Sequence, residues 1–212
     1  MKFIEVITRL ETALKGPLPG ATAQALMAPR PPREWPIGFD TDRVRQAAGL
    51  LLVFPIDGRA HVLLTVRAHA LDRHGGQVSM PGGVIEPGES YQEAAMREAH
   101  EEVALAIDSI RSLGPLTWVD IPVSGFRLHP VVAATDSRPA LTPADGEVAR
   151  ILEVPIDELM NPARIGRRTV TREGRSFEFP AFCVEAVEIW GATAMVLAEF
   201  LTMLGWPGPA RS

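Results

Sequence analysis

Three glutamates within one short segment form the most distinctive group of chemically active residues in this chain. Glu98, Glu101 and Glu102 stand at positions i, i+3 and i+4 of the stretch 91–105, whose apolar spacing predicts a helix. At about 100° per residue, the three side chains share an arc of roughly 100° on one helix face. An adjoining apolar stripe consists of Tyr91, Ala95, Ala99 and Val103.

Carboxylates crowded in this way repel one another, at a cost of roughly 0.2–0.5 kcal/mol per pair. A hard divalent cation removes that repulsion, and oxygen ligands favour Mg²⁺ or Mn²⁺ over softer metals. The helix alone favours a solvated acidic face, with a site for Mg²⁺ or Mn²⁺ as the alternative interpretation.

A glycine-rich segment just before this helix favours the metal site. Ser90 and Glu93 form a capping box that predicts a helix start near Tyr91. Gly82 and Gly83 lie shortly upstream, and glycines permit backbone groups to approach a phosphate or a metal closely. The glycine-rich segment therefore favours a phosphate or metal site over a plain acidic helix face.

The elements that must position these residues follow from hydrophobic spacing and turn signals. The predicted strands cover residues 47–56, 62–66, 113–119, 127–134 and 147–154, and a hairpin covers 168–184 with its turn at Glu173 and Gly174. The predicted helices cover residues 3–14, 91–105 and 192–204. Strands interleaved with helices predict an α/β fold, in which helices pack on a mixed sheet.

Length and composition limit the possible classes of protein. A chain of 212 residues with 46% hydrophobic and 22% charged residues is predicted to be one globular domain with an added segment. We predict an N-terminal helix and proline-rich linker over residues 1–40, and the main domain over residues 41–212. The single cysteine, Cys183, excludes an internal disulfide framework and a cysteine zinc site.

The net charge of −5 argues against a partner bound by bulk positive charge, so no nucleic acid is expected. No stretch has the length and apolar character of a membrane span or a signal peptide, which predicts a cytoplasmic location without a membrane partner. The four tryptophans are interpreted as core residues, with stacking on a nucleobase as the alternative. They are Trp35, Trp118, Trp190 and Trp206.

The segment from Gly83 to Leu105 resembles the Nudix box, Gly-x5-Glu-x7-Arg-Glu-U-x-Glu-Glu-x-Gly-U, in which U is a bulky apolar residue. The matching positions are Gly83, Glu89, Arg97, Glu98, Glu101, Glu102 and Leu105. The segment departs from the box at Ala104, where the box has glycine, and at Ala99, which is smaller than usual. The resemblance implies a Nudix fold, a mixed curved β-sheet sandwiched between helices (α/β/α).

A second motif is similar to the signature of the coenzyme A pyrophosphatase subfamily. It comprises residues 63–68 (LLTVRA) and, after a gap, residues 74–83 (HGGQVSMPGG). Met80 stands in place of phenylalanine, and Asp72, in the gap, stands where many members carry arginine. Residues 125–132 and 189–194 resemble the same subfamily. The implied reaction is hydrolysis of the pyrophosphate bond of coenzyme A or its derivatives, which yields 3′,5′-ADP and 4′-phosphopantetheine.

The resemblance also implies roles for individual residues. Glu98, Glu101 and Glu102 would hold Mg²⁺ or Mn²⁺ against the pyrophosphate, while Glu89 and the carbonyl of Gly83 would be further ligands. Arg97 would orient these carboxylates. The general base is Glu98 or Glu147, and a plain loop carboxylate is the alternative interpretation of Glu147.

For the substrate, Arg67 and Arg73 are the nearest cations for the 3′-phosphate of coenzyme A, and Gly82 and Gly83 permit close backbone approach. Arg67 is equally well interpreted as a surface strand residue. Two other functions stay open: a Nudix hydrolase acting on ADP-ribose, dinucleotides or nucleoside triphosphates, and a Nudix domain that binds a nucleotide without catalysis. The resemblance also allows a homodimer.

Overall fold

The computed structural model describes residues 1–68, 76–172 and 174–209. The helices are α1 (Phe3–Ala13), α2 (Gly20–Gln24), α3 (Tyr91–Val103), α4 (Ile156–Met160) and α5 (Ala192–Met203). The strands are β1 (Arg45–Ile56), β2 (Arg59–Arg67), β3 (Val78–Ser79), β4 (Gly82–Val84), β5 (Arg111–Pro115), β6 (Val119–Ile121), β7 (Phe126–Ala134), β8 (Val148–Pro155), β9 (Ile165–Arg172), β10 (Arg175–Val184) and β11 (Val187–Ile189).

The strand β1 is the centre of the main sheet, which has eight strands in the described residues. It pairs in parallel with β7 and antiparallel with β2 and β4, so the sheet is mixed. The strands β3 and β8 pair with β2, while β5 and β6 pair with β7. The short strand β4 places Gly82 opposite Gly49 and Gly83 opposite Ala48, which brings the glycine-rich segment onto the sheet.

Helices cover both faces of this sheet. Successive residues of β1 point to opposite faces, so they pack in two different cores. Leu50, Leu52 and Phe54 pack in one core with α3. Leu51 and Val53 pack in a second core with α1, α5 and β10. This arrangement confirms the predicted α/β/α sandwich.

The N-terminal segment packs against the rest of the chain. Val6, Ile7 and Leu10 of α1 are buried in the same core as α5. Further along, the backbone of Arg30 pairs with Glu178 on β10. The division of the chain at residue 40 stays a prediction, and these contacts place both predicted parts in one continuous core.

The second sheet has the order β11–β10–β9 and is antiparallel. It contains the predicted hairpin, in which Arg172 pairs with Arg175; Glu173, at the predicted turn, lies outside the described residues. The predicted strand over 113–119 is wrong in extent, since β5 ends at Pro115 and β6 begins at Val119. Between these strands, the backbone N–H and the hydroxyl of Thr117 donate to Glu199 on α5.

Two side-chain predictions on the surface are also wrong. Tyr91 was expected in the apolar stripe of α3, but it is 46% exposed and stacks on His129 with ring centroids 3.8 Å apart. Trp118 was expected in the core and is 52% exposed. Tyr91 is the first residue of α3, and Trp118 directly precedes β6. At the ends of elements, the spacing of apolar residues does not determine which side chains are buried.

Candidate active site

The helix α3 begins as the capping box predicts. The Ser90 hydroxyl accepts a hydrogen bond from the Glu93 backbone N–H at 3.3 Å, and the Glu93 carboxylate accepts one from the Ser90 backbone N–H at 2.8 Å. This reciprocal pair satisfies two donors that the first helical turn leaves unpaired. The cap sets where the helix starts, and therefore which face carries the three glutamates.

The guanidinium of Arg97 holds three carboxylates together. Its Nε donates to Glu89 Oε1 at 2.7 Å, and its Nη1 donates to Glu98 Oε1 at 2.8 Å and to Glu101 Oε2 at 3.2 Å. Its Nη2 donates to the carbonyl of Val84 on β4 at 3.0 Å. The bonds to Glu89 and Glu98 raise the pKa of Arg97. The bond from Arg97, together with one from the Glu86 backbone N–H, lowers the pKa of Glu89.

Glu102 stands apart because it is buried, with only 6% of its surface exposed. Burial raises its pKa from 4.5 to about 7, and the nearby charges of Glu98 and Glu147 act in the same direction. Arg67 and a hydrogen bond from the backbone of Gly82 partly offset this rise in pKa. Within the described residues, its buried Oε2 has no hydrogen-bond partner.

The two glycines of β4 are required by close packing. A Cβ atom on Gly83 would lie 2.3 Å from Glu98 Oε1, and one on Gly82 would lie 2.3 Å from the carbonyl oxygen of Ala48. Real Cβ atoms do not approach other atoms so closely, so each position accepts only glycine without a local shift. The strand therefore lies directly against the carboxylates of α3, as the predicted phosphate or metal site requires.

The remaining predicted residues come from other parts of the chain. Arg67, at the end of β2, brings its Nη1 to 3.9 Å from Glu102 Oε1, so this guanidinium lies beside the carboxylates. Glu147 is exposed in the loop before β8, close enough for its charge to raise the pKa of Glu102. Arg73 lies outside the described residues.

Sequence reasoning missed one contact that organises the site. The carbonyl of Val84 anchors Arg97, and a backbone acceptor leaves no signal in the types of residue. Only the pairing of β4 with β1 places that carbonyl opposite the middle of α3.

The model of the NUDIX domain family matches residues 43–173. The chain belongs to the Nudix family. It is 35% identical over 172 residues to the "Uncharacterized Nudix hydrolase NudL" of Citrobacter koseri, a match that covers 80% of this chain and 88% of that relative. The protein of the same name from Salmonella heidelberg matches with the same identity and coverage.

The fold of this Nudix protein is shared with a solved structure, the MutT protein from Methanosarcina mazei Go1. The TM-score is 0.50 at 15% sequence identity, and the match covers 76% of this chain and 93% of that chain. At this identity the likeness concerns the fold alone. The family match and the relatives named Nudix hydrolase make the chain a Nudix hydrolase, an enzyme class that acts on derivatives of nucleoside diphosphates.

A divalent metal fits this Nudix site by its chemistry. Among residues 1–68, 76–172 and 174–209, no three acidic, histidine or cysteine side chains converge closely enough to hold an ion. At the predicted site, Glu98 and Glu101 are bonded to Arg97. The donors present are carboxylate and carbonyl oxygens, which suit Mg²⁺ and Mn²⁺. The buried Oε2 of Glu102, which has no hydrogen-bond partner in the described residues, is a further oxygen whose charge a cation would stabilise.

None of the helices in the described parts of the chain combines the length and the apolar character that crossing a membrane requires.

Proposed function

We propose that this Nudix hydrolase cleaves the pyrophosphate bond of coenzyme A or its derivatives, producing 3′,5′-ADP and 4′-phosphopantetheine. The observation that carries the proposal is the contact of Arg67 Nη1 with Glu102 Oε1 at 3.9 Å. Arg67 belongs to the segment 63–68 that resembles the coenzyme A pyrophosphatase signature. That segment therefore supplies a cation beside the box carboxylates, where a substrate with several phosphate groups needs positive charge.

The proposed roles of the acidic residues follow from their positions. Glu98, Glu101 and Glu102 would hold Mg²⁺ or Mn²⁺, with Glu89 and the Gly83 carbonyl as further ligands. When bound, the ion supplies positive charge against the pyrophosphate oxygens and activates water for hydrolysis. Glu102 must be ionised to serve as a ligand, and a nearby cation lowers its raised pKa for that purpose.

Arg97 acts as a positioning residue in this proposal. Its bonds to Glu89, Glu98 and Glu101 fix the carboxylates relative to β4 before substrate arrives. A preorganised site loses little entropy when the reacting groups come together. Arg67 and the backbone of Gly82 and Gly83 would contact the phosphates, and Arg73 is proposed as a second cation for them.

Two carboxylates are proposed as alternatives for the general base. Glu98 bonds to Arg97 at 2.8 Å, which keeps it in place near Gly83. Glu147 approaches the same region from the loop before β8 and is exposed. The variants Glu98→Gln and Glu147→Gln distinguish the two candidates. In the parent protein kcat falls at low pH as the base becomes protonated, and the variant that lacks the base should lose this fall.

The purified protein, incubated with coenzyme A and Mg²⁺ or Mn²⁺, tests the proposal by chromatography for 3′,5′-ADP. We expect a product that requires the metal, disappears with EDTA and falls by at least about 100-fold in Glu102→Gln. Glu158→Gln is the matched control, since Glu158 lies on α4, outside the site, and forms an exposed ion pair with Arg164. That variant should keep the activity of the parent protein.

Parallel incubations with ADP-ribose, a dinucleotide and a nucleoside triphosphate test the other substrates that the sequence leaves open. Turnover of one of these without turnover of coenzyme A would overturn the assignment of substrate and keep the Nudix chemistry. Binding of nucleotide without any metal-dependent product would overturn catalysis itself.

A further inference from the structure

An aromatic residue and an arginine lie together where the second sheet meets the main one. Trp190 follows β11 and is half-buried. The guanidinium carbon of Arg168, on β9, lies 5.1 Å from the centroid of the Trp190 ring. Phe179, which is buried on β10, packs edge-on against the same ring with centroids 4.9 Å apart. Phe179 therefore fixes the orientation of an indole that keeps part of its surface exposed.

A series of contacts links this pair to the strand that carries Arg67. The strand β11 packs against β3, and the Thr193 hydroxyl of α5 donates to the Val78 carbonyl of β3 at 3.0 Å. Val78 is paired with Val66 on β2, the neighbour of Arg67. The strands β11, β3 and β2 thus form a continuous path of contacts from Trp190 to Arg67.

The charge of Arg168 is available to an anionic ligand. Its Nη1 bonds to Glu188, but the two side chains are 45% and 41% exposed. Exposed ion pairs contribute little to stability because water screens them, so a phosphate can take the place of Glu188 at low cost. A guanidinium carries five N–H donors in a planar fork, which matches the oxygens of a phosphate group.

We propose that Trp190 and Arg168 form the subsite for the adenosine 3′-phosphate half of the substrate. The adenine stacks on the exposed part of the indole. The Arg168 guanidinium donates to the phosphate on the ribose, in place of Arg67 and Arg73, which the sequence suggested for that phosphate. Aromatic side chains stack on any base, whereas the phosphate contact selects nucleotides that carry the 3′-phosphate. This inference rests on the proposed function, because it identifies which half of coenzyme A lies on this side of the site.

Steady-state kinetics with coenzyme A and with 3′-dephospho-coenzyme A test both contacts. Trp190→Ala should raise KM for both substrates by about tenfold and leave kcat within about twofold, since the lost stacking serves binding. Arg168→Gln should raise KM for coenzyme A by about tenfold and leave KM for the dephospho form nearly unchanged. Glu188→Gln should lower KM for coenzyme A, because it removes a negative charge beside the phosphate.

Two controls separate recognition from folding. Arg167→Gln changes the neighbouring arginine of β9, which bonds to Glu178 at 3.0 Å, and should alter neither KM. Trp190→Phe keeps an aromatic face and should recover most of the affinity that Trp190→Ala loses. An equal effect of Arg167→Gln and Arg168→Gln, or an unchanged KM in Trp190→Ala, would overturn the subsite.

Calorimetry with the product 3′,5′-ADP keeps this test independent of turnover. If the parent protein does not hydrolyse coenzyme A, the proposed function fails, and binding of 3′,5′-ADP still decides the subsite. Affinity that falls in Trp190→Ala and Arg168→Gln but not in Arg167→Gln supports it. Absence of binding to the parent protein, or equal binding by all four proteins, overturns it.

Discussion

At the scale of single residues, burial controls the charge of Glu102. Its pKa in the folded protein is about 7, against 4.5 for an ordinary glutamate, so the folded state keeps this proton to a higher pH than the unfolded state does. Without metal, the free energy of unfolding should therefore fall as pH rises from about 4.5 through 7, by an amount on the order of 3 kcal/mol.

Glu102→Gln tests this prediction, because the amide cannot ionise. In EDTA, urea unfolding at about pH 5 and pH 8.5 should show a smaller loss of stability in Glu102→Gln than in the parent protein. Glu158→Gln, at an exposed ion pair, should keep the pH dependence of the parent. An identical pH dependence in all three proteins would contradict the raised pKa of Glu102.

Gly82 and Gly83 are adjacent, yet we expect their replacement to fail in different ways. A methyl group on Gly83 meets the Glu98 carboxylate, which can move, so Gly83→Ala should fold and lose about 100-fold in kcat. A methyl group on Gly82 meets the backbone of Ala48, which cannot move freely, so Gly82→Ala should lose about 1–3 kcal/mol of stability. Urea melts and activity assays on both variants measure the contrast, and equal stability losses would refute it.

At the scale of elements, the end of α3 carries a conformational cost. Ala104, where the Nudix box has glycine, adopts a left-handed conformation with φ 54° and ψ 32°. A side chain is unfavourable in that region by roughly 1 kcal/mol, and glycine is not. Ala104→Gly should therefore raise the free energy of unfolding by about 1 kcal/mol.

The matched control for Ala104→Gly is Ala106→Gly, two residues later and also exposed. Ala106 has φ −74°, which any residue adopts, so glycine there only adds freedom to the unfolded chain. Ala106→Gly should lower stability by about 0.5 kcal/mol. A destabilising Ala104→Gly would mean that the helix end is not strained.

The strands differ in how far local pattern determines them. β1 and β2 follow from continuous apolar runs with a turn between them, and the structure confirms both. β3 and β4 have two and three residues, too few for a periodic pattern, and they exist because β2 and β1 supply their hydrogen-bond partners. Very short strands are thus set by their neighbours and not by their own residues.

At the scale of the whole molecule, Glu199 links three parts of the chain. It is completely buried on α5 and accepts hydrogen bonds from the Gly20 backbone N–H at 3.2 Å, Gln24 Nε2 at 2.8 Å and the Thr117 hydroxyl at 2.7 Å. The carboxylate therefore joins the N-terminal segment and the loop between β5 and β6 to the C-terminal helix.

Glu199→Leu should lower the free energy of unfolding by about 3 kcal/mol or more, because several buried donors lose their acceptor. Glu199→Gln should cost less, since its amide oxygen still accepts. Chemical unfolding measures both, with Glu158→Gln expected within about 0.5 kcal/mol of the parent protein. An unchanged free energy of unfolding in Glu199→Leu would show that the N-terminal segment does not depend on this contact.

The sequence alone determined the carboxylate helix, its capping box, the α/β class and the family, because these depend on spacing over a few residues. The tertiary structure decided which of the three glutamates is buried, that Arg67 reaches Glu102, and that Arg97 bonds to the Val84 carbonyl. It also decided that Glu199, which interrupts an apolar stretch, is buried and accepts hydrogen bonds from the N-terminal segment. Burial and long-range contact depend on the order of strands in the sheet, and no local pattern along the chain records that order.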